Sequence, residues 1–192
     1  MNSILLASAG ATAWDEEGRL QGSRSLPLSD GGRSQMRQLA GQFKEMPLRA
    51  VYTGNSRHCL ESARIIAQGT RVPVRCLQTL SEVNQGLWEG LRLEELERQY
   101  ARAYRLWLRE ACAVRPPHGE TMRQAYERVR QVVASLSRRH NDQLVAVVAP
   151  RLLRALIQCC LRGLGPEAVW EIYREDASWE ILQIPDTLIG RA

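Results

Sequence analysis

A short apolar segment near the amino terminus ends in a turn of small residues, where the chain could hold a charged or reactive group. Residues 4–6 are apolar, and Ser8, Ala9 and Gly10 follow them closely. In α/β proteins, a strand that ends in a glycine-containing turn at the carboxyl edge of the sheet is a frequent place for a phosphate or nucleotide group. The turn therefore predicts binding of a phosphate-bearing or other anionic group.

The elements that would position this turn alternate between strand and helix along the chain. Further strand patterns occur at residues 49–53, 72–77, 144–149 and 179–184. Apolar residues recur at helical spacing at residues 32–44, 56–69, 93–111, 122–136 and 152–163. The run at 144–149 is apolar throughout, which is typical of a strand buried on both faces. This order predicts one α/β layered domain with a mostly parallel sheet.

The start of the helix predicted at 122–136 is marked by two local signals. Pro116, Pro117 and Gly119 interrupt the chain just before it. Thr121 and Gln124 have the spacing of a capping box, in which each side chain bonds the backbone N–H of the other residue. We therefore expect this helix to begin directly after Thr121.

Length and composition favour an intracellular globular protein. The 192 residues are 44% hydrophobic, enough for one core, and the five cysteines show no Cys-x-x-Cys pattern. An odd cysteine count suits a reducing compartment. No basic residue precedes the apolar run at 4–6, and no stretch is long enough to span a membrane. We predict a cytoplasmic location without membrane contact, and the three scattered histidines indicate neither a metal site nor a cofactor.

The charge pattern argues against nucleic acid as a partner. The formal net charge is +5, with 26 basic and 21 acidic residues, and Lys44 is the only lysine. Between residues 92 and 109 the arginines alternate with glutamates, as on a solvated helix face. No basic segment is interleaved with aromatic residues as a stacking platform for bases would be. A small anionic ligand remains compatible with this basic balance.

Several motifs occur along the chain in the order known from one protein family. The first is the turn at 8–14, followed by Gly18-Arg19-Leu20-Gln21-Gly22 and by Leu26-Pro27-Leu28. Later matches are at 51–63, 80–90, 116–121 and 147–151. Together they resemble the histidine phosphatase family, which includes the cofactor-dependent phosphoglycerate mutases. The resemblance implies a three-layer α/β/α fold over residues 1–192, in which segment 82–118 partly covers the pocket.

The residues that carry the family's chemistry are largely replaced in this sequence. Phosphoryl transfer to an imidazole needs a neutral histidine, cationic donors around the phosphoryl oxygens and an acid for the leaving group. The resemblance places the nucleophilic histidine at Ala9 and the two arginines at Ser8 and His58. It places the second histidine at Pro150 and the acid at Glu82. Of these five pocket positions, only Glu82 keeps the family's residue type.

Neighbouring residues restore part of the lost charge but not the nucleophile. Arg57 and Arg151 each lie one residue from a replaced group and are candidates for anion binding together with Ser8. A shift of one residue turns a side chain about a hundred degrees on a helix or to the opposite face of a strand. An alanine cannot attack phosphorus, and Ser8 has no base beside it in the sequence.

Three hypotheses about function follow. The first is a catalytically silent member of the family, retained as a binding, regulatory or assembly component. Its partner would be a protein or a small anionic or phosphorylated ligand, with a homodimer left open. The second is a repurposed enzyme that uses Glu82 beside His58 on an anionic substrate. The third is an active phosphomonoesterase or mutase, which would require a different alignment at both histidines. For Glu82 itself we favour a structural role, as a loop cap or ion-pair partner.

Overall fold

The chain folds as an alternation of strands and helices, described by a computed structural model for residues 3–175 and 178–188. The strands are β1 (Ser3–Ser8), β2 (Leu48–Thr53), β3 (Val74–Cys76), β4 (Leu144–Ala149) and β5 (Trp179–Gln183). The helices are α1 (Ala13–Glu16), α2 (Asp30–Phe43), α3 (Arg57–Thr70), α4 (Leu93–Arg109), α5 (Met122–Arg139), α6 (Arg151–Leu161) and α7 (Val169–Tyr173). Most of these elements lie where the sequence predicts them.

The five strands form one sheet in the order β3-β2-β4-β1-β5. β1 and β2 both pair with β4 in parallel, and β3 pairs in parallel with β2. β5 runs antiparallel to β1 at the edge of the sheet. The parallel register of β1 with β4 pairs Ser8 with Ala149, so the carboxyl ends of the two central strands lie side by side.

Two apolar clusters cover the two faces of the sheet. In β1, Ile4 and Leu6 belong to the cluster with α5 and α6, whereas Leu5 and Ala7 belong to the cluster with α2 and α3. Side chains alternate in this way because successive residues of a strand point to opposite faces. The mainly parallel sheet with helices on both faces confirms the predicted three-layer α/β/α fold.

The turn after β1 is packed tightly against the start of α2. A Cβ atom on Gly32 would clash with the backbone of Ala11, and one on Gly10 would lie 2.7 Å from the carbonyl oxygen of Gly32. The backbone N–H of Gly10 also donates to Ser62 Oγ of α3 at 3.0 Å. The turn is therefore held by contacts with both helices on this side of the sheet.

Segment 82–118 contains a 3₁₀ turn at Gly86–Trp88, helix α4 and a second 3₁₀ turn at Ala111–Ala113. Trp88, Leu96 and Trp107 from this segment are buried in the cluster that contains α5 and α6. α4 is irregular at Tyr100, whose φ and ψ of −127° and 33° are not helical. The segment is thus anchored to the core by large side chains.

Several details differ from the sequence-based prediction, and the short helix α1 is one element that was not predicted. α7 and the preceding 3₁₀ turn Pro166–Ala168 were not predicted, because five residues are too few to show a helical period. β3 begins at Val74 rather than at residue 72, since Pro73 has no N–H to donate to a neighbouring strand. α4 ends at Arg109 instead of residue 111. Among the described residues, no helix is both long and apolar enough to cross a membrane.

Candidate functional site

A cavity of about 740 Å³ opens beside the carboxyl ends of β1 and β4. Ser8, Ala9 and Pro150 line it from the ends of the two strands, and His58 and Glu82 line it from the side. Arg151, the first residue of α6, lies on the cavity as well. The volume is in the range of small-molecule sites in proteins. All five pocket positions that the sequence analysis selected are thus brought together.

Arg57 is not among the residues that line the cavity. Its side chain is 63% exposed, and its Nε donates to Glu61 Oε1 at 2.8 Å, one turn further along α3. Because Arg57 precedes His58 by one residue at the start of the helix, its side chain leaves in another direction. Of the two arginines selected as candidates for anion binding, only Arg151 therefore lies on the cavity.

His58 is a neutral hydrogen-bond acceptor in this cavity. Its side chain is buried, and Gln21 Nε2 lies 3.0 Å from His58 Nδ1. An amide nitrogen can only donate, so Nδ1 accepts and the ring proton is on Nε2, which lies 3.4 Å from Cys59 Sγ. Burial lowers the pKa of His58 below its usual value, so the imidazole is uncharged at neutral pH.

Glu82 accepts hydrogen bonds from N–H groups at the amino terminus of α6, which have no partner within the helix. Its Oε1 accepts from the backbone N–H of Val83 at 2.7 Å and of Leu153 at 3.0 Å, and its Oε2 accepts from that of Leu152 at 3.3 Å. The N-cap residue of α6 is Pro150, which makes no side-chain bond to the helix. The Glu82 carboxylate thus performs the capping that Pro150 cannot.

The protonation of Glu82 is balanced between opposing effects. Burial raises the pKa of the carboxyl group to about 7, against the three backbone N–H bonds and the charge of Arg128, which lower it. A carboxyl group with this pKa exchanges its proton near neutral pH, which is the property that a general acid or base requires. The same geometry therefore serves a structural role and offers a titratable group to the cavity.

Two arginines of α6 bring positive charge to the cavity wall. Arg151 stacks over the ring of Tyr173, with 4.6 Å between its guanidinium carbon and the ring centroid. The Arg154 side chain is only 4% exposed, and its Nε and Nη2 have no hydrogen-bond partner among the described residues. Its Nη2 lies 3.6 Å from Glu180 Oε1, an ion-pair distance that is too long for a hydrogen bond. Arg154 therefore has donor capacity left for an anion.

An aromatic wall and a buried amide also line the cavity, although the sequence motifs do not mark these side chains as site residues. Tyr104 and Trp107 come from α4, and Trp170 and Tyr173 come from α7. Both aromatic residues of α4 are buried and also face the cavity. Gln85 is buried beside the 3₁₀ turn of segment 82–118. The sequence gives no signal for it, because Glu82, Asn84 and Glu89 of the same loop are polar as well.

Comparison with known proteins assigns the chain to one superfamily. A model of the histidine phosphatase superfamily (branch 1) matches residues 4–188, and the chain belongs to that superfamily. This confirms the family that the motifs indicated.

Individual relatives match the chain over most of its length. Phosphoserine phosphatase 1 of Hydrogenobacter thermophilus is 25% identical over 97% of this chain and 88% of its own length. The adenosylcobalamin/alpha-ribazole phosphatase of Salmonella typhimurium is 23% identical over 94% of this chain and 90% of its own. The solved structure of Bacillus stearothermophilus YhfR matches with a TM-score of 0.82 and 26% identity, covering 88% of this chain and 83% of that one.

Proposed function

We propose that this protein is a catalytically silent histidine phosphatase relative that binds a small anionic or phosphorylated ligand in the cavity. The observation that carries the proposal is Ala9, which lies where the motif places the nucleophilic histidine. A methyl group cannot form a bond to phosphorus. Among the described residues that line the cavity, His58 is the only histidine, and its Nδ1 lone pair is used by Gln21.

The phosphoryl-stabilising groups are replaced as well. Transfer requires cations and donors on the oxygens of the transferring group, and removing such donors slows reactions by orders of magnitude. Ser8 and the neutral His58 occupy the positions of two cations, and Pro150 has no donor at all. These replacements support a cavity that no longer stabilises the transition state of phosphoryl transfer.

Anion binding is supported by the α6 wall rather than by the turn after β1. Arg151 and Arg154 lie on the cavity, and two nitrogens of Arg154 lack a hydrogen-bond partner among the described residues. A buried guanidinium with free donors is well suited to a carboxylate or phosphate group. Phosphoserine is a reasonable first probe because one relative is a phosphoserine phosphatase.

The proposal is tested by hydrolysis of an aryl phosphate and of phosphoserine across acid to neutral pH. We expect no turnover by the natural protein, and a gain of hydrolysis in the variant Ser8→Arg, Ala9→His, His58→Arg, Pro150→His. The matched control carries the same changes but keeps Ala9, and it should stay inactive because only the nucleophile differs. Saturable hydrolysis by the natural protein that is lost on Ser8→Ala would contradict catalytic silence.

Binding is measured separately, by calorimetric titration with phosphoserine. We expect Arg154→Met to weaken binding about tenfold or more, the loss typical of one charged hydrogen bond. Arg64→Met is the control because this substitution removes the same charge at a residue outside the cavity lining. Arg64 is exposed on α3. Equal affinity of the two variants would show that the anion does not bind at Arg154.

A second candidate function is favoured by one observation, the Glu82 carboxyl group with a pKa of about 7 in the same cavity as His58. A repurposed enzyme could use this group as a general acid or base on an anionic substrate. Mass spectrometry of phosphoserine incubations should then reveal a product that the Glu82→Gln variant does not form. The same product profile for both proteins would remove the support for this alternative.

We further propose that residues 1–192 act as one domain in which segment 82–118 partly covers the cavity. The segment contributes Tyr104 and Trp107 to the cavity wall, and it packs through Trp88 and Leu96 into the core. A cover anchored in this way would shield a bound ligand from water while the cavity mouth remains accessible.

A further inference from the structure

Gln85 is a buried amide that the fold leaves without hydrogen bonds. Its side chain lines the cavity and is 1% exposed, and neither Oε1 nor Nε2 has a partner within the described part of the chain. A buried amide with both groups unpaired lowers stability, since each polar group has lost its contacts with water. In a ligand-sized cavity, such a residue indicates that a ligand supplies the missing donor and acceptor.

The backbone on both sides of Gln85 is fixed. A small loop movement therefore cannot bring partners to the unpaired groups of its side chain. Gly86 has a φ of +54°, and a Cβ atom there would clash with the carbonyl oxygen of Pro117. The backbone N–H of Leu87 donates to that same oxygen at 2.9 Å, and the N–H of Gln85 donates to Glu89 Oε1 at 3.2 Å. Gln85 is thereby held in position on the cavity wall.

The aromatic wall of the same cavity is suited to a planar ring. The rings of Trp107 and Trp170 are 4.5 Å apart between centroids, and those of Tyr104 and Trp107 are 6.4 Å apart. The indole N–H of Trp107 is buried and also lacks a hydrogen-bond partner among the described residues. Aromatic side chains bind planar heterocycles by stacking or edge contacts, and an indole N–H donates to a ring nitrogen or a carbonyl group.

We infer that the ligand combines an anionic group with a planar nitrogen heterocycle, as in a purine nucleoside monophosphate. The Gln85 amide presents a donor next to an acceptor, which pairs with the amino group and adjacent ring nitrogen of adenine. The anionic group would bind on the side of Arg151 and Arg154. This inference rests on the proposed binding function and narrows the class of ligand.

The test compares AMP with two of its parts, ribose 5-phosphate and adenosine, by calorimetric titration of the full chain. We expect AMP to bind at least tenfold more tightly than ribose 5-phosphate, because only AMP has the ring. Gln85→Met should lower the affinity for AMP about tenfold and leave that for ribose 5-phosphate unchanged. Gln38→Met, an exposed glutamine of α2, is the matched control and should change neither affinity.

A second readout separates a binding role of Gln85 from a structural one. Gln85→Met keeps the size of the side chain and removes two unpaired polar groups, so we expect the melting temperature of the ligand-free protein to rise. A fall in melting temperature, or an unchanged affinity for AMP, would overturn the assignment of Gln85. Equal affinities for AMP and ribose 5-phosphate would overturn the inference that the ligand contains a heterocycle, and would leave the proposed anion site standing. If AMP, ribose 5-phosphate and phosphoserine all fail to bind, the proposed binding function itself is wrong.

Discussion

The Glu82 carboxyl group links the protonation of one residue to the stability of the chain. A glutamate in the unfolded chain titrates near pH 4.5, and in the fold burial raises the pKa of Glu82 to about 7. Between these values the unfolded chain has lost a proton that the folded chain still holds. The contribution of Glu82 to the free energy of unfolding therefore falls as the pH rises through this interval, in total by about 3 kcal/mol.

We predict that Glu82→Gln removes this pH dependence. The amide resembles the protonated acid and does not titrate. As the pH rises, the natural protein should therefore lose about 3 kcal/mol of unfolding free energy relative to the variant. The measurement is urea denaturation at pH values that bracket the interval. Glu94→Gln, an exposed change of the same charge in α4, should not produce this shift. Parallel stability curves for Glu82→Gln and the natural protein would contradict the shifted pKa.

At the scale of residues, sequence motifs located the cavity better than they located its chemistry. The motifs mark segments that follow the carboxyl ends of strands, and such segments lie close together in a parallel sheet. The cavity is therefore lined by the motif residues Ser8, His58, Glu82 and Pro150. Gln85, Trp107 and Arg154 were not selected, since their importance depends on burial without a partner, which no local pattern shows. These three residues carry the side chains with unused hydrogen-bonding groups on which the binding proposals depend.

Substitution of two glycines of α2 by alanine should change the free energy of unfolding in opposite directions. A Cβ atom on Gly32 would collide with the backbone of Ala11, whereas one on Gly41 would meet no described atom within 4 Å. Gly32→Ala should therefore lower the free energy of unfolding by about 2 kcal/mol through overpacking. Gly41→Ala should raise it by about 0.5 to 1 kcal/mol, because alanine favours the helix over glycine. Chemical denaturation measures the free energy of unfolding of both variants. Equal effects would show that the turn after β1 moves to make room for the new methyl group on residue 32.

Elements with strong local signals were predictable, and elements defined by the tertiary fold were not. β4 spans residues 144–149 as its apolar run predicted, and α5 begins at Met122 after the capping box of Thr121 and Gln124. α7 has five residues and is held by contacts such as the bond from Trp170 Nε1 to the carbonyl oxygen of Trp107, at 2.6 Å. Val169 and Ile172 of this helix are also buried in the cluster that contains α5 and α6, so its stability comes from tertiary packing.

At the scale of the whole molecule, the cavity is built from distant parts of the chain. Besides Gln35 of α2 and His58 of α3, its lining comes from three parts of the chain, namely residues 8–22, segment 82–118 and the region after β4. A ligand that needs all three parts binds only the folded state, and at about 100 times its Kd it adds about 2.7 kcal/mol to stability. The melting temperature should then rise by roughly 5 to 10 °C.

We expect this shift to occur within one cooperative unfolding transition, because both apolar clusters share the strands of a single sheet. Calorimetry with and without phosphoserine makes the measurement. The control is Arg154→Met, which should unfold in one transition but respond less to the ligand. Two separate transitions would show that segment 82–118 folds independently and would contradict the single domain.

The edge-to-face contact of Trp107 with Trp170 has an optical consequence. Their rings lie at 78° to each other, and they join α4 to α7 across the cavity wall. Two indole chromophores at this separation and angle couple their excited states, which gives a circular dichroism signal that depends on their mutual orientation. The circular dichroism of the protein therefore responds to the relative position of α4 and α7 without any added label, together with that of Trp88, whose ring centroid lies 5.6 Å from that of Trp107.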